Sequence, residues 1–386
     1  MKRGTTAVYT AGFLQGAAFV MVPALGHILH QAPYAFGSST YGFLYFPEII
    51  GAILSALAAG SIHSRLGGSG VFRLGALSNA AAMFLLVAAA FTGGHLAYGL
   101  ILAETLLLGI GFGLTNAAIN RSATLLFAGT AATAVTILNA VIGGATALSP
   151  LILQGFRSSS IGWAGWPALL GLAWLALLLL PMAAHGPAEL GGLRAWHRSM
   201  LPFAGAVLIY AICEGSFGSW ANILVSVNRS LPAASGALAL ALFWGGMTAA
   251  RFALGFIPNR LLHRRIVYLL APPGIAACFL LIPHLAAANA LFMAFTAAGI
   301  ACGIYYPYSM AYGIAAHPEE GTQMAGLLVG ALMVGEGIGS FGLGPLQDLL
   351  SLDHIYDLSA LWTIPLFWLA WRNSRPARAP GAGAHG

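Results

Sequence analysis

Apolar runs of membrane-crossing length, separated by short polar turns, recur along the whole chain. A helix rises about 1.5 Å per residue, so about 20 apolar residues cross a hydrocarbon layer of about 30 Å. By that measure the pattern predicts twelve spans, near residues 6–29, 40–62, 71–91, 96–119, 131–154, 163–184, 202–226, 233–257, 266–283, 288–315, 323–347 and 355–372. Lys2 and Arg3 before an apolar run begin like a signal peptide, but this run is too long and glycine-broken for one. It is kept as the first span. The pattern divides the chain into residues 1–184, a linker at 185–200, residues 201–372, and a tail at 373–386. The linker is too short for a soluble domain. The tail, with Pro, Ala, Gly and two arginines, is expected to be disordered.

Composition agrees with that pattern. Of 386 residues, 59% are hydrophobic and 7% charged, whereas soluble domains carry about 25% charged residues. The expected fold class is an all-α integral membrane protein. Cys213, Cys278 and Cys302 all fall inside apolar runs, which excludes a disulfide framework or a zinc cluster. His27 and His30 read as interfacial polar residues, so neither metal nor cofactor is expected. A formal charge of +6 raises the question of nucleic acid, and the placement of the charges answers it. With a cytoplasmic N-terminus, thirteen of the sixteen Lys and Arg fall in inside segments. This asymmetry is the positive-inside rule, and it predicts an inner (plasma) membrane protein with both termini cytoplasmic. The expected surroundings are lipid, without nucleic acid, and the chain is expected to act as a monomer.

An internal repeat follows. Gly60–Arg65 closes the second span and Gly255–Arg260 the eighth; Gly109–Gly113 lies in the fourth span and Gly299–Gly303 in the tenth. The offsets, 195 and 190, agree apart from a small length change. Each half therefore reads as a six-helix bundle, and such repeats are one architecture for alternating access around a midplane site.

Over nearly its whole length the chain resembles the major facilitator superfamily. The loop after the second span resembles that family's G-x-x-x-D-R-x-G-R signature: Gly60, Arg65 and Gly67 match, while Ser64 replaces the acid and Gly68 the last Arg. In the second half Asn259 takes the acid's place. The resemblance implies gating roles for Arg65, Arg251 and Arg260, and the missing acids put those gate contacts in question. The segments EGSFGSWAN, from Glu214, and FWGGMTAARF, from Phe243, look most like the fucose-permease-like branch. The family resemblance implies solute transport through a cavity between the halves. Proton-coupled drug exporters of the family carry an Arg in the fourth span and a G-x-x-x-G-P signature in the fifth. Here Glu104 precedes Gly109, and Gly143 to Pro150 lacks the Gly-Pro pair. Uptake of a small polar solute, a sugar or small organic molecule, is the better expectation. Efflux, or a transport-inactive sensor or scaffold, is the alternative.

The candidate site rests on depth. At 1.5 Å per residue, Glu48, Glu104, Glu214 and Glu336 lie about 18–22 Å from the cytoplasmic ends of spans two, four, seven and eleven. They share one slab near the membrane centre, on spans that face the cavity in the family; spans three, six, nine and twelve face outward there. An ionisable group in hydrocarbon is costly, which makes each a functional candidate. A carboxyl that is neutral facing one compartment and ionised facing the other couples protons to transport. Glu214 and Glu336 rank first and Glu48 and Glu104 second, against hydrogen-bonded structural carboxyls. Arg251, about 9 Å from the cytoplasmic end, is expected to snorkel or pair on that side. Trp220, Asn222 and Trp244 are candidates for a sugar-binding face, with Trp220 equally an interfacial anchor. Asn116 in span four, with Asn120 and Asn139, and Tyr305, Tyr306 and Tyr308 beside the helix-interrupting Pro307 supply further hydrogen-bonding groups. Gly337–Gly342 matches G-x-G-x-x-G, but it lies inside an apolar span with no strand before it, so dinucleotide binding is rejected.

Overall fold

The computed structural model of the protein describes residues 2–127, 130–180, 197–256 and 263–375. Fourteen α-helices run through the described residues: α1 (Lys2–Phe19), α2 (Met21–Leu29), α3 (Ser38–Phe43), α4 (Tyr45–Ala90), α5 (Gly94–Leu126), α6 (Ala131–Phe156), α7 (Gly165–Leu177), α8 (Leu201–Ile223), α9 (Ala233–Phe256), α10 (Arg264–Leu281), α11 (Ala288–Ala316), α12 (Gly321–Leu346), α13 (Leu352–Ser359) and α14 (Thr363–Asn373). Nine helical stretches among the described residues are individually long and apolar enough to cross a membrane. The other crossings arise from how the chain bends and joins.

The 46 residues of α4 would reach about 69 Å if straight, more than twice a hydrocarbon core. Gly67, at φ 69° and ψ 175°, breaks the rod inside that length. A residue with a Cβ resists that φ, so glycine sits at the corner between the second and third spans. The last span is composite, with a tight 3-10 turn at Ala360–Trp362 joining α13 to α14. The first span, expected to be one helix, is broken at Val20 (φ −93°, ψ 8°). Pro23 explains the break, because it has no N–H to offer Phe19 and its ring crowds that carbonyl. The expected interruption at Pro307 does not occur: α11 runs unbroken through it. Residues 181–184 at the end of the predicted sixth span, 185–196 of the predicted linker, the 257–260 end of the second repeat motif, and tail residues 376–386 lie outside the described residues.

The repeat is visible at atomic contact. A Cβ on Gly109 would sit 2.0 Å from the Glu48 carbonyl oxygen and 2.9 Å from the Ala52 nitrogen. A Cβ on Gly299 would sit 2.0 Å from the Phe243 carbonyl oxygen and 3.0 Å from the Met247 nitrogen. The two contacts are related by the sequence offsets that define the repeat. Glycine lets the helix backbones touch where lipid offers no hydrophobic drive for association. Gly109→Ala and Gly299→Ala are each expected to destabilise the fold by about 1–3 kcal/mol, since a backbone carbonyl cannot rotate out of the way. Gly144→Ala and Gly330→Ala, with nothing within 4 Å of the added Cβ, are expected to be neutral. Thermal unfolding in detergent checks the contrast.

The halves meet along several helix pairs, two of which flank the middle of the bundle. Ile49 of α4 packs on Gly337 of α12, and Thr248 of α9 packs on Gly143 of α6. Large apolar side chains face out from α7 (Leu169, Leu172), α10 (Leu270, Leu280) and α14 (Ile364, Trp368), as a lipid-facing set should.

One end of the bundle gathers the turns at 30–37, 91–93, 157–164, 229–232 and 347–351. Gly94 donates its backbone N–H to the Pro33 carbonyl at 3.2 Å, and Tyr34 meets Trp163 edge-on at 6.3 Å. In the second half Arg229 organises this end. Its guanidinium holds Asp353 with two hydrogen bonds, 2.7 and 3.0 Å, and donates to the Leu285 carbonyl at 2.8 Å. Arg229→Ala is expected to cost about 1.5 kcal/mol, the low end for bonds to a charged partner because Asp353 is partly solvated. A lowered melting temperature in detergent is the expected readout.

Candidate functional site

A cleft with about 550 Å³ of empty space, part of it open to solvent, lies between the halves. Phe19, Pro23, Tyr45, Glu48, Ile49, Ala52 and Phe112 line it from the first half, and Gly218, Ser219, Trp244, Met333, Glu336, Gly337 and Ser340 from the second. Two helical stripes supply its polar face. Tyr45, Glu48, Ile49 and Ala52 fall at i, i+3, i+4 and i+7 on α4; Met333, Glu336, Gly337 and Ser340 repeat that spacing on α12. Such spacing puts four side chains on one helix face, so each bundle presents one carboxyl to the same space.

The four sequence-predicted carboxyls fall into different settings. Glu48 and Glu336 are half-buried and line the cavity from opposite halves. Glu336 lies within electrostatic reach of both Glu48 and Glu214. Glu104 is fully buried, within electrostatic reach of Glu48, and neither carboxyl oxygen has a hydrogen-bond partner. Glu214 is 4% exposed and does not line the cavity; its Oε1 faces an Arg251 nitrogen at 3.4 Å. The carboxyls thus run in series from Glu104 through Glu48 and Glu336 to Glu214, with Arg251 at the end.

Arg251 corrects an expectation. It was expected to turn toward the cytoplasmic side, but its side chain reaches Glu214 and lies 3.5 Å from the Tyr210 hydroxyl. A long guanidinium stem spans the estimated depth difference. Tyr210 in turn stacks on Tyr305 and Tyr306, with ring centres 5.2 and 6.5 Å apart.

Of the aromatic and amide candidates, Trp244 alone lines the cavity. Its ring meets Phe19 edge-on at 5.9 Å across the interface between the halves, and Phe112 lies 5.5 Å from Phe19. The indole N–H of Trp244 is buried without a partner. Trp220 is neither a sugar platform nor an interfacial anchor. It is fully buried, donates to the Ser340 carbonyl at 2.9 Å and packs on Tyr41. Asn222 donates to the Ala24 carbonyl at 2.9 Å, tying the two halves together. Tyr305 is fully buried inside the second bundle, its hydroxyl 3.4 Å from the Leu366 carbonyl. Tyr306 is half-buried beside Tyr210, away from the cavity lining. Asn116 is half-buried and accepts from Asn120 at 2.8 Å. Arg65 is exposed two residues before the Gly67 corner, and Arg260 lies outside the described residues. No cluster of three or more metal-ligating side chains occurs among the described residues.

Sequence reasoning missed Phe19, Tyr45, Phe112, Ser219 and Ser340. The stripes around Glu48 and Glu336 carried a usable signal for Tyr45 and Ser340, whereas the phenylalanines are hidden among 21 of their kind. It also missed the seam. At the turn-rich end, Ser39 donates to Asp348 at 2.6 Å and Ser38 to Gln347 at 3.0 Å. The Tyr41 hydroxyl donates to the Ser219 carbonyl at 3.2 Å. Gly42 and Gly344 bring the two backbones together: a Cβ on Gly42 would lie 2.8 Å from the Gly344 Cα. These contacts close the cavity at that end.

No family model matches the chain, and no curated protein matches it. Solved structures do. The chain is similar to the inward-open conformation of the xylose transporter XylE from E. coli (TM-score 0.76, 13% identity, 97% of each chain covered). It is similar to a variant of the nucleoside transporter NupG (TM-score 0.74, 13% identity, 96% of this chain and 100% of that one). A D-xylose-proton symporter gives a TM-score of 0.71 at 16% identity, with 95% of this chain and 96% of that one covered. At such identities the likeness defines the fold. The chain has the major facilitator fold, an all-α membrane architecture of two pseudo-symmetric six-helix bundles.

Proposed function

We propose that the chain is a secondary transporter that carries a small polar solute by alternating access through the cavity between its halves. One observation carries this reading: a closed seam at one end of a cavity to which each half contributes a carboxyl, Glu48 and Glu336. The charge asymmetry of the sequence makes the turn-rich end the outer one, with both termini in the cytoplasm of a cell with this protein in its inner membrane. The seam then excludes the outside, and likeness to an inward-open XylE supports the same state. Rocking of the halves would open the Ser38–Asp348 seam and close the opposite end.

In this reading Glu336 and Glu48 contact solute, and Glu104 and Glu214 hold or relay protons. Arg251 holds the charge of Glu214 rather than gating the cytoplasmic end, and Arg65 and Arg260 remain as the gate. Proton-coupled uptake fits the D-xylose-proton symporter among the neighbours, and the transporting unit in this reading is the monomer. The likeness to the fucose-permease-like branch adds to it, because its two segments pack together at the cavity, Gly218 against Trp244. Ser64 and Gly68, in place of gate charges, favour a second reading, a transport-inactive sensor. Uptake of a labelled solute panel into vesicles, with and without an imposed proton gradient, separates the two. Accumulation that collapses with the gradient supports the first, and no uptake of any solute supports the second.

A further inference from the structure

The chemistry of the cavity selects one class of solute. Among the described residues its lining holds two carboxyls, Glu48 and Glu336, and no Lys, Arg or His. Arg251 is the basic group within electrostatic reach of Glu336, and its closest carboxylate contact is Glu214. Arg251 therefore acts on Glu214 and Glu336. A neutral sugar needs donors and acceptors in balance around its hydroxyls. This lining is instead rich in acceptors and walled by Phe19, Phe112 and Trp244. Carboxylates supply charge to a cation, and aromatic rings in a desolvated site attract one through their quadrupoles. Trp244, 8% exposed, lines the cavity and is the aromatic ring type with the strongest such attraction.

We propose that the cavity binds a small organic cation: an ammonium group held by Glu48 and Glu336 among the rings of Phe19, Phe112 and Trp244. This rests on reading the cavity as the solute site. It departs from the xylose and nucleosides named for the structural neighbours.

The test uses the purified full chain and two matched pairs, choline against 3,3-dimethylbutan-1-ol and glucosamine against glucose. Each pair differs chiefly in the positive charge, and binding is followed by calorimetry and thermal shift. The expected result is binding of at least one cation, at least tenfold tighter than its neutral partner. Glu336→Gln is expected to weaken the cation at least tenfold and leave the neutral partner unchanged. Trp244→Phe is expected to weaken choline several-fold while the melting temperature of the unliganded protein holds. If Glu336→Gln fails to fold, Glu48→Gln makes the same comparison. Equal binding of charged and neutral partners, tighter binding of the neutral one, or no charge-dependent binding in either pair overturns the proposal. A neutral solute that binds and is displaced by Glu336→Gln would remove the cation and leave the transport reading standing. Failure of the transport reading shows separately, as the loss of any link between seam opening and uptake.

Discussion

Glu336→Gln is expected to cut initial-rate uptake of the transported solute roughly 30- to 4,000-fold, the range of about 2–5 kcal/mol for losing one partner of a buried charge contact. The amide keeps the size of the carboxyl, so the neighbouring packing on Gly215 and Ile49 should survive. What changes is the capacity to carry charge. Glu48→Gln is expected to behave alike, because it faces the same cavity from the other half. Glu104→Gln is expected to differ: Glu104 does not line this cavity, and its carboxyl has no hydrogen-bond partner among the described residues. Downhill exchange should survive that substitution while gradient-driven accumulation falls. Proteoliposome uptake run in both modes reads the three variants, and full activity in all of them would end the role assigned to the carboxyls.

Gly42→Trp is expected to abolish net transport while leaving the bundles folded. Here two glycines on opposite halves let backbones meet, with a Cβ on Gly344 falling 2.7 Å from the Ser38 carbonyl oxygen. An indole at this point cannot coexist with the closed seam, so it should hold the outer end apart. The gain is measurable as well as the loss. Cys213, Cys278 and Cys302 are all buried, so a cysteine placed at Ser219 should report on the seam. Its thiol should be modified faster in the Gly42→Trp background, and an unchanged rate would mean the seam opens elsewhere.

Relative level along a span can be counted from the sequence; rotation about it cannot. Counting residues predicts one level for Glu48, Glu104, Glu214 and Glu336, and in the structure Glu104 lies within electrostatic reach of Glu48, and Glu336 of Glu48 and Glu214. Which of them meets the cavity depended on the face each helix presents, and a span apolar on all sides hides that face. The α4 and α12 stripes were the exception, since polar residues at helical spacing marked one side. Trp220, Asn222 and Tyr305 show the converse. Each is a polar side chain at plausible depth whose hydrogen bond goes to a backbone carbonyl of another helix. In hydrocarbon a polar group must be satisfied somewhere, so its presence alone does not distinguish a site from a strut. Arg251 was misplaced because Cα depth ignores the reach of the side chain. Glycine spacing read more truly: the offset of 190 between Gly109 and Gly299 corresponds to one contact made twice.

Alternating access requires the seam between Ser39 and Asp348 to open and close in every cycle. Cysteines at both positions, with side-chain oxygens now 2.6 Å apart, can be joined by a short thiol-reactive crosslinker containing a reducible bond. Uptake should stop when the link forms and recover when it is reduced, with either single cysteine unaffected. Undiminished uptake by the crosslinked protein would contradict a transport cycle built on rocking halves.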